Sequence, residues 1–199
     1  MIKAVVFDWG GVLIDNPVEE MIRFAALTLR VNPDKLRPSY QRHKLALQDG
    51  RISEDVFWSH VCGELGIDHP RTSSLLDESF RASYREREDV FALASGLHRR
   101  GYKTALLSNT EASSVRFFRE KRYPMFDEAV FSCVEGVSKP DRTIYLTMLD
   151  RLDMRAETVA FIDDSPENVS GAAQTGMAAI LFENSSRLRR DLLSLSMEF

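Results

Sequence analysis

Five apolar runs of five to seven residues, rich in β-branched and aliphatic side chains, recur along the chain. They occupy residues 3–8, 103–109, 128–133, 158–164 and 178–182. The runs are continuous rather than alternating, as strands are when helices cover both faces of their sheet. The sequence therefore predicts an α/β fold with a doubly wound, Rossmann-like parallel sheet.

Apolar residues at helical spacing lie between and after these runs. They predict helices at residues 89–100, 111–121, 141–152, 166–175 and 186–195. Gly101 and Gly176 stand just after two of these helices, where glycine commonly ends a helix. Together with the strands, these helices predict an α/β core formed by residues 1–15 and 88–199.

No convincing strand is found in residues 16–87, which we call the helical insertion. Pro17 suits the first turn of a helix that continues through "VEEMIRFAALTLR", and "NPDKL" opens a second. Ser53 is placed to cap a third, "EDVFWSHVCGEL", and "RTSSLLDESFRASY" indicates a fourth. We therefore expect a small all-helical cap inserted after the first strand.

Composition narrows the class of protein. The chain has 199 residues, a formal net charge of -4 and scattered basic residues, which argues against nucleic acid as a partner. No apolar stretch is long enough for a membrane span, and Met1 leads into a strand without a basic, apolar leader. We expect a cytoplasmic protein, either a monomer or a homodimer, with no zinc site at Cys62 or Cys133.

Polar side chains follow the predicted strands at one edge of the sheet: Asp8, Ser108, Asn109, Lys139, Asp163 and Asp164. Each has an ordinary explanation as a helix cap, a turn or surface charge. Because parallel strands end at the same edge, however, the set converges on the place where such sheets bind ligands. Three crowded carboxylates call for a hard cation such as Mg²⁺, while Lys139 and the Ser108 hydroxyl suit phosphate oxygens.

The motifs resemble those of the haloacid dehalogenase superfamily. "VVFDWGGVLID" is similar to its first motif, "LLSNT" to its second, Lys139 of "SKPD" to its third and "FIDDSPENVSGAAQTGM" to its fourth. The helical insertion matches the position of a C1-type cap, and "LQDGRISEDVFW" is similar to the cap of bacterial sugar-1-phosphate phosphatases. Receiver domains of signalling proteins carry a similar set, but in a different order. Dehalogenases proper lack the acidic pair.

The resemblance implies a phosphatase in which Asp8 is the nucleophile and forms a phospho-aspartyl intermediate. It implies Mg²⁺ bound by Asp8, the Gly10 carbonyl and Asp164, with Asp163 acting directly or through water. Phosphate and substrate contacts are then expected from the remaining motif and cap residues: Trp9, Gly10, Gly11, His43, Lys44, Ser108, Asn109 and the catalytic Lys139. Arg42 and the turn at 48–51 are further candidates. The expected substrate is a small phosphorylated metabolite, most readily a sugar phosphate.

The sequence leaves two explanations open for Trp9 and two for Asn168. Trp9 either shapes the leaving-group pocket or packs on the core, and Asn168 either orients the acidic loop or lies on a helix surface. Gly10 is a departure from the family pattern, because most of its phosphatases have there an aspartate that transfers protons. The sequence therefore leaves three functions open. The chain is a phosphatase that works without an aspartate at position 10, a binding or regulatory protein that has lost turnover, or a phosphotransferase or mutase.

Overall fold

A computed structural model of the chain describes residues 1–198. Its five strands form one parallel sheet: β1 (Ala4–Phe7), β2 (Lys103–Ser108), β3 (Glu128–Phe131), β4 (Val159–Asp163) and β5 (Ala178–Leu181). The strand order is β3-β2-β1-β4-β5, so the chain builds outward from β1 on one side and then crosses to the other. The predicted doubly wound α/β fold is confirmed, and β1 is its central strand.

Side chains of β1 alternate between two apolar layers. Val5 and Phe7 pack into one buried cluster, and Ala4 and Val6 pack into the other, all with no exposed surface. A strand buried on both faces has no polar position to offer until it ends. Asp8 is the first residue beyond β1, which explains why the charge stands at that point of the sequence.

The core helices lie close to their predicted positions: α5 (Glu88–Arg99), α6 (Ala112–Lys121), α8 (Arg142–Leu152), α9 (Pro166–Gln174) and α10 (Ser185–Ser194). One boundary differs, because the third predicted strand ends at Phe131 rather than 133. The next four residues form the short helix α7 (Ser132–Glu135). There the Ser132 hydroxyl accepts a hydrogen bond from the Thr110 amide at 2.9 Å, which holds the chain as it leaves the sheet.

Four helices make up the helical insertion: α1 (Val18–Leu29), α2 (Pro33–Gln48), α3 (Glu54–Leu65) and α4 (Leu75–Ser83). The side chains of Asn32, Ser53 and Ser74 each accept a hydrogen bond from a backbone amide in the first turn of α2, α3 and α4. These caps satisfy amides that the helix itself leaves unpaired. Within residues 1–198 no helix is long and apolar enough to cross a membrane.

Two short segments join the helical insertion to the core, and they are hydrogen-bonded to each other. The Asp15 amide donates to the Arg85 carbonyl at 3.0 Å, and the Arg87 amide donates to the Leu13 carbonyl at 2.9 Å. The outgoing and returning chains therefore run side by side a few residues after β1. The division of the chain into a core and a cap domain at 16 and 87 stays a prediction.

The turn after α2 brings the helical insertion against the core. Gln48 Nε2 donates to the Asn109 carbonyl at 3.1 Å, and the Ser138 hydroxyl donates to Asp49 Oδ1. Gly50, the next residue, has φ +66°, and a Cβ there would stand 2.4 Å from the Cys133 carbonyl oxygen. The fit of this turn therefore requires glycine at position 50.

We expect Gly50→Ala to lower the free energy of unfolding by about 1–2 kcal/mol, from the cost of a left-handed backbone alone, and more from the contact with Cys133. Urea denaturation measures the change. Gly63→Ala is the matched control, since Gly63 lies in α3 and a Cβ added there would meet nothing within 4 Å. That control should raise stability by about 0.5–1 kcal/mol, and equal losses in both variants would contradict the packing argument.

Candidate functional site

The parallel register aligns two acidic residues at the carboxyl ends of the central strands. Phe7 of β1 is paired with Ile162 of β4, so the following residues, Asp8 and Asp163, lie at the same level of the sheet. Asp8 is 7% exposed and Asp163 is fully buried. Two carboxylates are thus held side by side in a buried place where water does little to screen the repulsion between their charges.

Lys139 lies between these two carboxylates. Its Nζ donates to Asp8 Oδ1 at 2.7 Å, to Asp163 Oδ2 at 2.6 Å and to the Leu107 carbonyl at 2.9 Å. All three donor positions of the ammonium are therefore occupied, and its side chain is 1% exposed. The predicted convergence of Asp8, Lys139 and Asp163 is present in the structure.

Asn109 fixes the backbone that carries Lys139. Its Nδ2 donates to the Lys139 carbonyl at 2.9 Å, and its Oδ1 accepts from the Lys139 amide at 2.8 Å. The predicted contact of Asn109 with phosphate stays a prediction, since the side chain is engaged with this loop. Ser108, the last residue of β2, is 4% exposed and lines the same cavity as Asp8.

The alternative for Asn168 is decided by its contacts. Its Nδ2 lies 3.0 Å and 3.1 Å from the two carboxylate oxygens of Asp163, and the Ser165 amide donates to Asp163 Oδ1 at 2.9 Å. Asn168 therefore orients the acidic loop and is not a simple surface residue. Because these donors and Lys139 surround Asp163, this carboxylate is held in a single orientation.

Gly11 lies against the second member of the acidic pair. Its φ is +99°, and a Cβ there would stand 2.1 Å from Asp164 Oδ2. Any larger residue at position 11 would displace the carboxylate of Asp164. Glycine at this position therefore leaves room for that carboxylate. Gly10 is less restricted, because a Cβ there would meet only Pro17 Cδ, at 3.3 Å.

Oxygens of Asp8, Asp163 and Asp164 come within 4.8 Å of one another. Burial and the neighbouring Asp163 raise the pKa of Asp8 to about 7, although Lys139 opposes that shift. Burial likewise raises the pKa of Asp164, while the two carboxylates raise the pKa of Lys139 against the effect of its own burial. One ammonium cannot balance three carboxylates, and an all-oxygen set with excess negative charge fits a hard cation such as Mg²⁺.

Asp8 opens into a cavity of about 240 Å³ between the core and the helical insertion. The core contributes polar groups around Asp8, Ser108 and Lys139, and the insertion contributes both apolar and polar groups. The cavity is lined by Asp8, Trp9, Gly10, Ile14, Asn16, Pro17, Val18, Met21, Tyr40, Lys44, Gln48, Phe80, Ser108, Asn109, Thr110, Glu111, Lys139, Ser165 and Asn168.

Trp9 packs in the core and also lines the cavity, and its role at the leaving group stays a prediction. Its ring packs against Phe80, with centroids 5.2 Å apart, and edge-on against Phe118 at 5.4 Å, and it is 1% exposed. It also lines the cavity beside Asp8. A buried aromatic ring thus forms part of the cavity wall, and its position is set by packing between α4 and α6.

The predicted polar cluster of α2 divides between two faces of the helix. Lys44 and Gln48 line the cavity, but His43 does not, and its Nε2 lies 2.9 Å from Glu64 Oε1. Arg42 is also directed to Glu64, at 2.7 Å. Successive helical residues are rotated by about 100°, so residue 43 cannot share the face of residue 44. The structure therefore does not bring His43 to the site.

Tyr40 and Glu111 line the cavity although the sequence predicted neither as a site residue. Tyr40 is 3% exposed and Glu111 is 6% exposed. Glu111 follows "SNT" directly and precedes the first turn of α6, where an acidic residue is usually interpreted as a helix-start signal. Its proximity to the second motif was the available signal, whereas nothing marks Tyr40 in the sequence.

Comparison with known families agrees with this geometry. The family model of haloacid dehalogenase-like hydrolases matches residues 2–176. The chain belongs to this family. The expectation of a hydrolase with this core is therefore confirmed, and the roles of the individual residues stay predictions.

Two curated relatives of this hydrolase cover most of its length. It is 28% identical to a sesquiterpene phosphatase from Aspergillus oryzae, over 89% of this chain and 88% of the relative. It is 27% identical to a D-ribitol-5-phosphate phosphatase from Bacteroides thetaiotaomicron, over 96% of this chain and 97% of the relative. These two relatives are named for an apolar and a polyhydroxylated substrate.

Solved structures share the fold over nearly the whole chain. A predicted HAD-like family hydrolase from Porphyromonas gingivalis superposes with a TM-score of 0.77 and 27% identity, covering 100% of both chains. A HAD family enzyme from Bacteroides thetaiotaomicron, in complex with magnesium and inorganic phosphate, has a TM-score of 0.77 and 22% identity, covering 94% of this chain and 99% of that one. The arrangement of sheet and helical insertion is therefore common to these proteins.

We expect Lys139→Met to lower the free energy of unfolding by about 3–5 kcal/mol at neutral pH without metal, because it leaves buried carboxylates unpaired. Mg²⁺ should then raise the melting temperature of the variant more than that of the wild type, since the cation replaces the lost charge. Thermal denaturation with and without MgCl₂ measures both effects. The exposed Lys35→Met on α2 is the control, and an equal response to Mg²⁺ in both variants would contradict the expectation.

We expect Gly11→Ala to weaken Mg²⁺ binding by about 10–100-fold, the usual cost of disturbing a group that positions a ligand. The added methyl displaces the Asp164 carboxylate. Isothermal titration calorimetry with MgCl₂ measures the affinity. Gly10→Ala is the control, because it retains the backbone carbonyl and meets only a proline carbon. If Gly11→Ala binds Mg²⁺ as the control does, Asp164 is not a ligand.

Proposed function

We propose that this hydrolase is a Mg²⁺-dependent phosphatase that releases phosphate from a small phosphorylated metabolite through a phospho-aspartyl intermediate on Asp8. One observation carries the proposal. Asp8 and Lys139 line the cavity together, Lys139 donates to Asp8 Oδ1, and oxygens of Asp163 and Asp164 lie within 4.8 Å of Asp8. The two phosphatase relatives and the magnesium and phosphate complex of the Bacteroides enzyme support it.

Asp8 is suited to attack phosphorus. Lys139 holds Oδ1, which leaves Oδ2 to approach a phosphate bound in the cavity. The new bond joins Asp8 to phosphorus as the bond from phosphorus to the ester oxygen breaks, and the leaving oxygen takes up a proton from water because Gly10 has no side chain to supply one. Dividing the displacement in this way replaces one difficult step by two easier ones.

Ser108 and Lys139 both line the cavity with Asp8 and would bind the oxygens of the transferring phosphoryl group. Lys139 would do so by exchanging one of its three hydrogen bonds to the protein for a phosphoryl oxygen. The residues that would hold Mg²⁺ are Asp8, Asp164 and the carbonyl of Gly10, with Asp163 directly or through water. Bound there, the cation offsets the repulsion between the carboxylate and the phosphate dianion. Lys139 then stabilises both the free carboxylate and the charge that develops on phosphorus.

The second step returns Asp8 to its starting state. A water molecule attacks the phosphorus of the phospho-aspartate, the bond from phosphorus to Oδ breaks, and inorganic phosphate leaves. The proton of that water passes to the solvent or to phosphate, because Gly10 supplies no side chain to take it. Closure of the helical insertion over the cavity keeps other nucleophiles away during the first step.

The size of the cavity favours a small leaving group. Its volume of about 240 Å³ is below the roughly 300–1,000 Å³ typical of pockets for drug-sized ligands. A sugar or polyol phosphate is compatible with that volume, whereas a protein or nucleic acid chain is not. Lys44 and Gln48 are expected to face the leaving group from the helical insertion.

The test is Mg²⁺-dependent release of phosphate from a panel of sugar and polyol phosphates. We expect wild-type turnover with MgCl₂, none with EDTA, and loss to background in Asp8→Asn, because the amide cannot attack phosphorus. The exposed Asp150→Asn on α8 is the control and should retain wild-type turnover. Equal activity of Asp8→Asn and the control would contradict the proposal.

A second candidate, a binding or regulatory protein without turnover, rests on Gly10. Position 10 has room for a side chain, because a Cβ there contacts only Pro17 Cδ at 3.3 Å. Gly10→Asp therefore tests whether the missing acid limits activity. A phosphatase adapted to glycine turns over without the substitution. An inactive wild type with an active Gly10→Asp variant would favour the binding protein.

A further inference from the structure

Three polar side chains on the outer wall of the cavity make little use of protein partners. They are Tyr40 and Lys44, one helical turn apart on α2, and Glu111 at the start of α6. Tyr40 and Glu111 are almost completely buried. Buried polar groups normally find hydrogen-bond partners in the protein, so a cluster that does not is a place where a ligand is expected.

The Lys44 ammonium has no hydrogen bond and no carboxylate within 4.0 Å among residues 1–198. Burial lowers the pKa of Lys44, and the carboxylates of Glu111 and Asp8 oppose that shift. Lys44 therefore shares the cavity with Glu111 and Asp8 and forms no ion pair with either carboxylate. A cation in this position is attracted to the space between them.

Glu111 also has few hydrogen-bond partners in the protein. Ser114 Oγ donates to its Oε1 at 2.6 Å, and no basic group lies within 4.0 Å of its carboxylate in the part of the chain that the structure describes. Burial raises the pKa of Glu111, while Lys44 lowers it and Glu54 raises it. A buried carboxylate with a single side-chain donor retains acceptor capacity for a ligand.

Tyr40 adds a neutral group to the same wall. Its hydroxyl makes no hydrogen bond within residues 1–198, yet it is not among the polar atoms that are sealed from solvent. Burial and the nearby Glu111 and Glu54 raise the pKa of Tyr40, so the hydroxyl keeps its proton. It can both donate to and accept from a ligand.

We propose that Tyr40, Lys44 and Glu111 form the subsite that recognises the leaving group, and that this group carries several hydroxyls and no second charge. This inference rests on the proposed phosphatase function. A hydroxyl placed between Lys44 and Glu111 accepts from the ammonium and donates to the carboxylate. It thereby satisfies two opposite charges that are too far apart to pair directly.

The charges of Lys44, Glu111 and Asp8 exclude leaving groups that are charged or purely apolar. Because Lys44, Glu111 and Asp8 line one small cavity, a second phosphate or carboxylate bound there would also meet the two carboxylates, and a cationic group would also meet Lys44. Like charges brought together in a buried site repel strongly. An apolar chain would instead bury Lys44 without any hydrogen-bond partner and Glu111 with only that of Ser114, which is costly for charged groups.

Apolar side chains of the same cavity suit the carbon skeleton of such a ligand. Val18, Met21 and Phe80 line the cavity, and the ring of Phe80 packs against that of Trp9. A polyol or sugar has C–H groups for this apolar wall and hydroxyls for the polar one. The same cavity is less suited to a terpene alcohol, although one relative is a sesquiterpene phosphatase.

The first test compares three esters with the same carbon chain: a pentitol monophosphate, n-pentyl phosphate and a pentitol 1,5-bisphosphate. We expect wild-type kcat/KM for the pentitol monophosphate to exceed that for n-pentyl phosphate by about 10³ or more, because a site built for hydroxyls rejects analogues without them. The bisphosphate should also be a poor substrate. Equal or higher kcat/KM for n-pentyl phosphate or the bisphosphate would overturn the inference.

The second test uses Tyr40→Phe, Lys44→Met and Glu111→Gln, with Lys35→Met on the exposed face of α2 as control. We expect the ratio of kcat/KM for pentitol over n-pentyl phosphate to fall at least about tenfold in Lys44→Met and Glu111→Gln, mainly through KM, and less in Tyr40→Phe. Lys35→Met should keep the wild-type ratio. Equal losses on both esters would indicate a structural role and overturn the inference.

Binding measurements distinguish a failure of the subsite inference from a failure of the phosphatase proposal. Calorimetry on Asp8→Asn with MgCl₂ measures the affinities for the pentitol and n-pentyl esters without turnover. A preference for the pentitol ester that disappears in Asp8→Asn/Glu111→Gln supports the subsite even if the wild type releases no phosphate. Turnover without any such preference would overturn the subsite and leave the phosphatase intact.

Discussion

The ammonium of Lys139 between Asp8 and Asp163 is the interaction on which the rest of the site depends. Its three hydrogen bonds join the carboxyl ends of β1, β2 and β4 at a single buried point. Without it, two carboxylates would face each other in a low-dielectric environment and one would take up a proton. The cation therefore stabilises the carboxyl ends of the central strands, and we propose that the reaction needs the same cation on phosphate.

Much of this arrangement could be predicted from the sequence, because it depends on the local pattern and the order of residues along the chain. Apolar runs indicated the strands, and parallel strands bring their carboxyl ends together whatever the helices between them do. Asp8, Lys139 and the acidic pair were therefore predicted to converge. The contact of Gly11 with Asp164 was not predicted, since close approach of two loops depends on backbone angles that spacing does not reveal.

The helical insertion shows where such prediction stops. Its helices begin at residues with capping side chains, which is a local effect. Which residues of α2 reach the cavity depends instead on how the helix is rotated against the core. His43 and Lys44 are neighbours in sequence, yet one meets Glu64 and the other the cavity. Glu111 and Tyr40 were not predicted for the same reason, because their positions in the cavity depend on how α6 and α2 pack and not on a local sequence pattern.

The pairing of the two connecting segments has a mechanical consequence. The outgoing segment contains Gly11, which lies against Asp164, and ends at Asp15, which is hydrogen-bonded to the returning segment at Arg85. Any swing of the helical insertion would therefore rotate the backbone within a few residues of Asp8. Such a swing would change access to the cavity and the geometry around the carboxylates together, because both depend on one short stretch of chain.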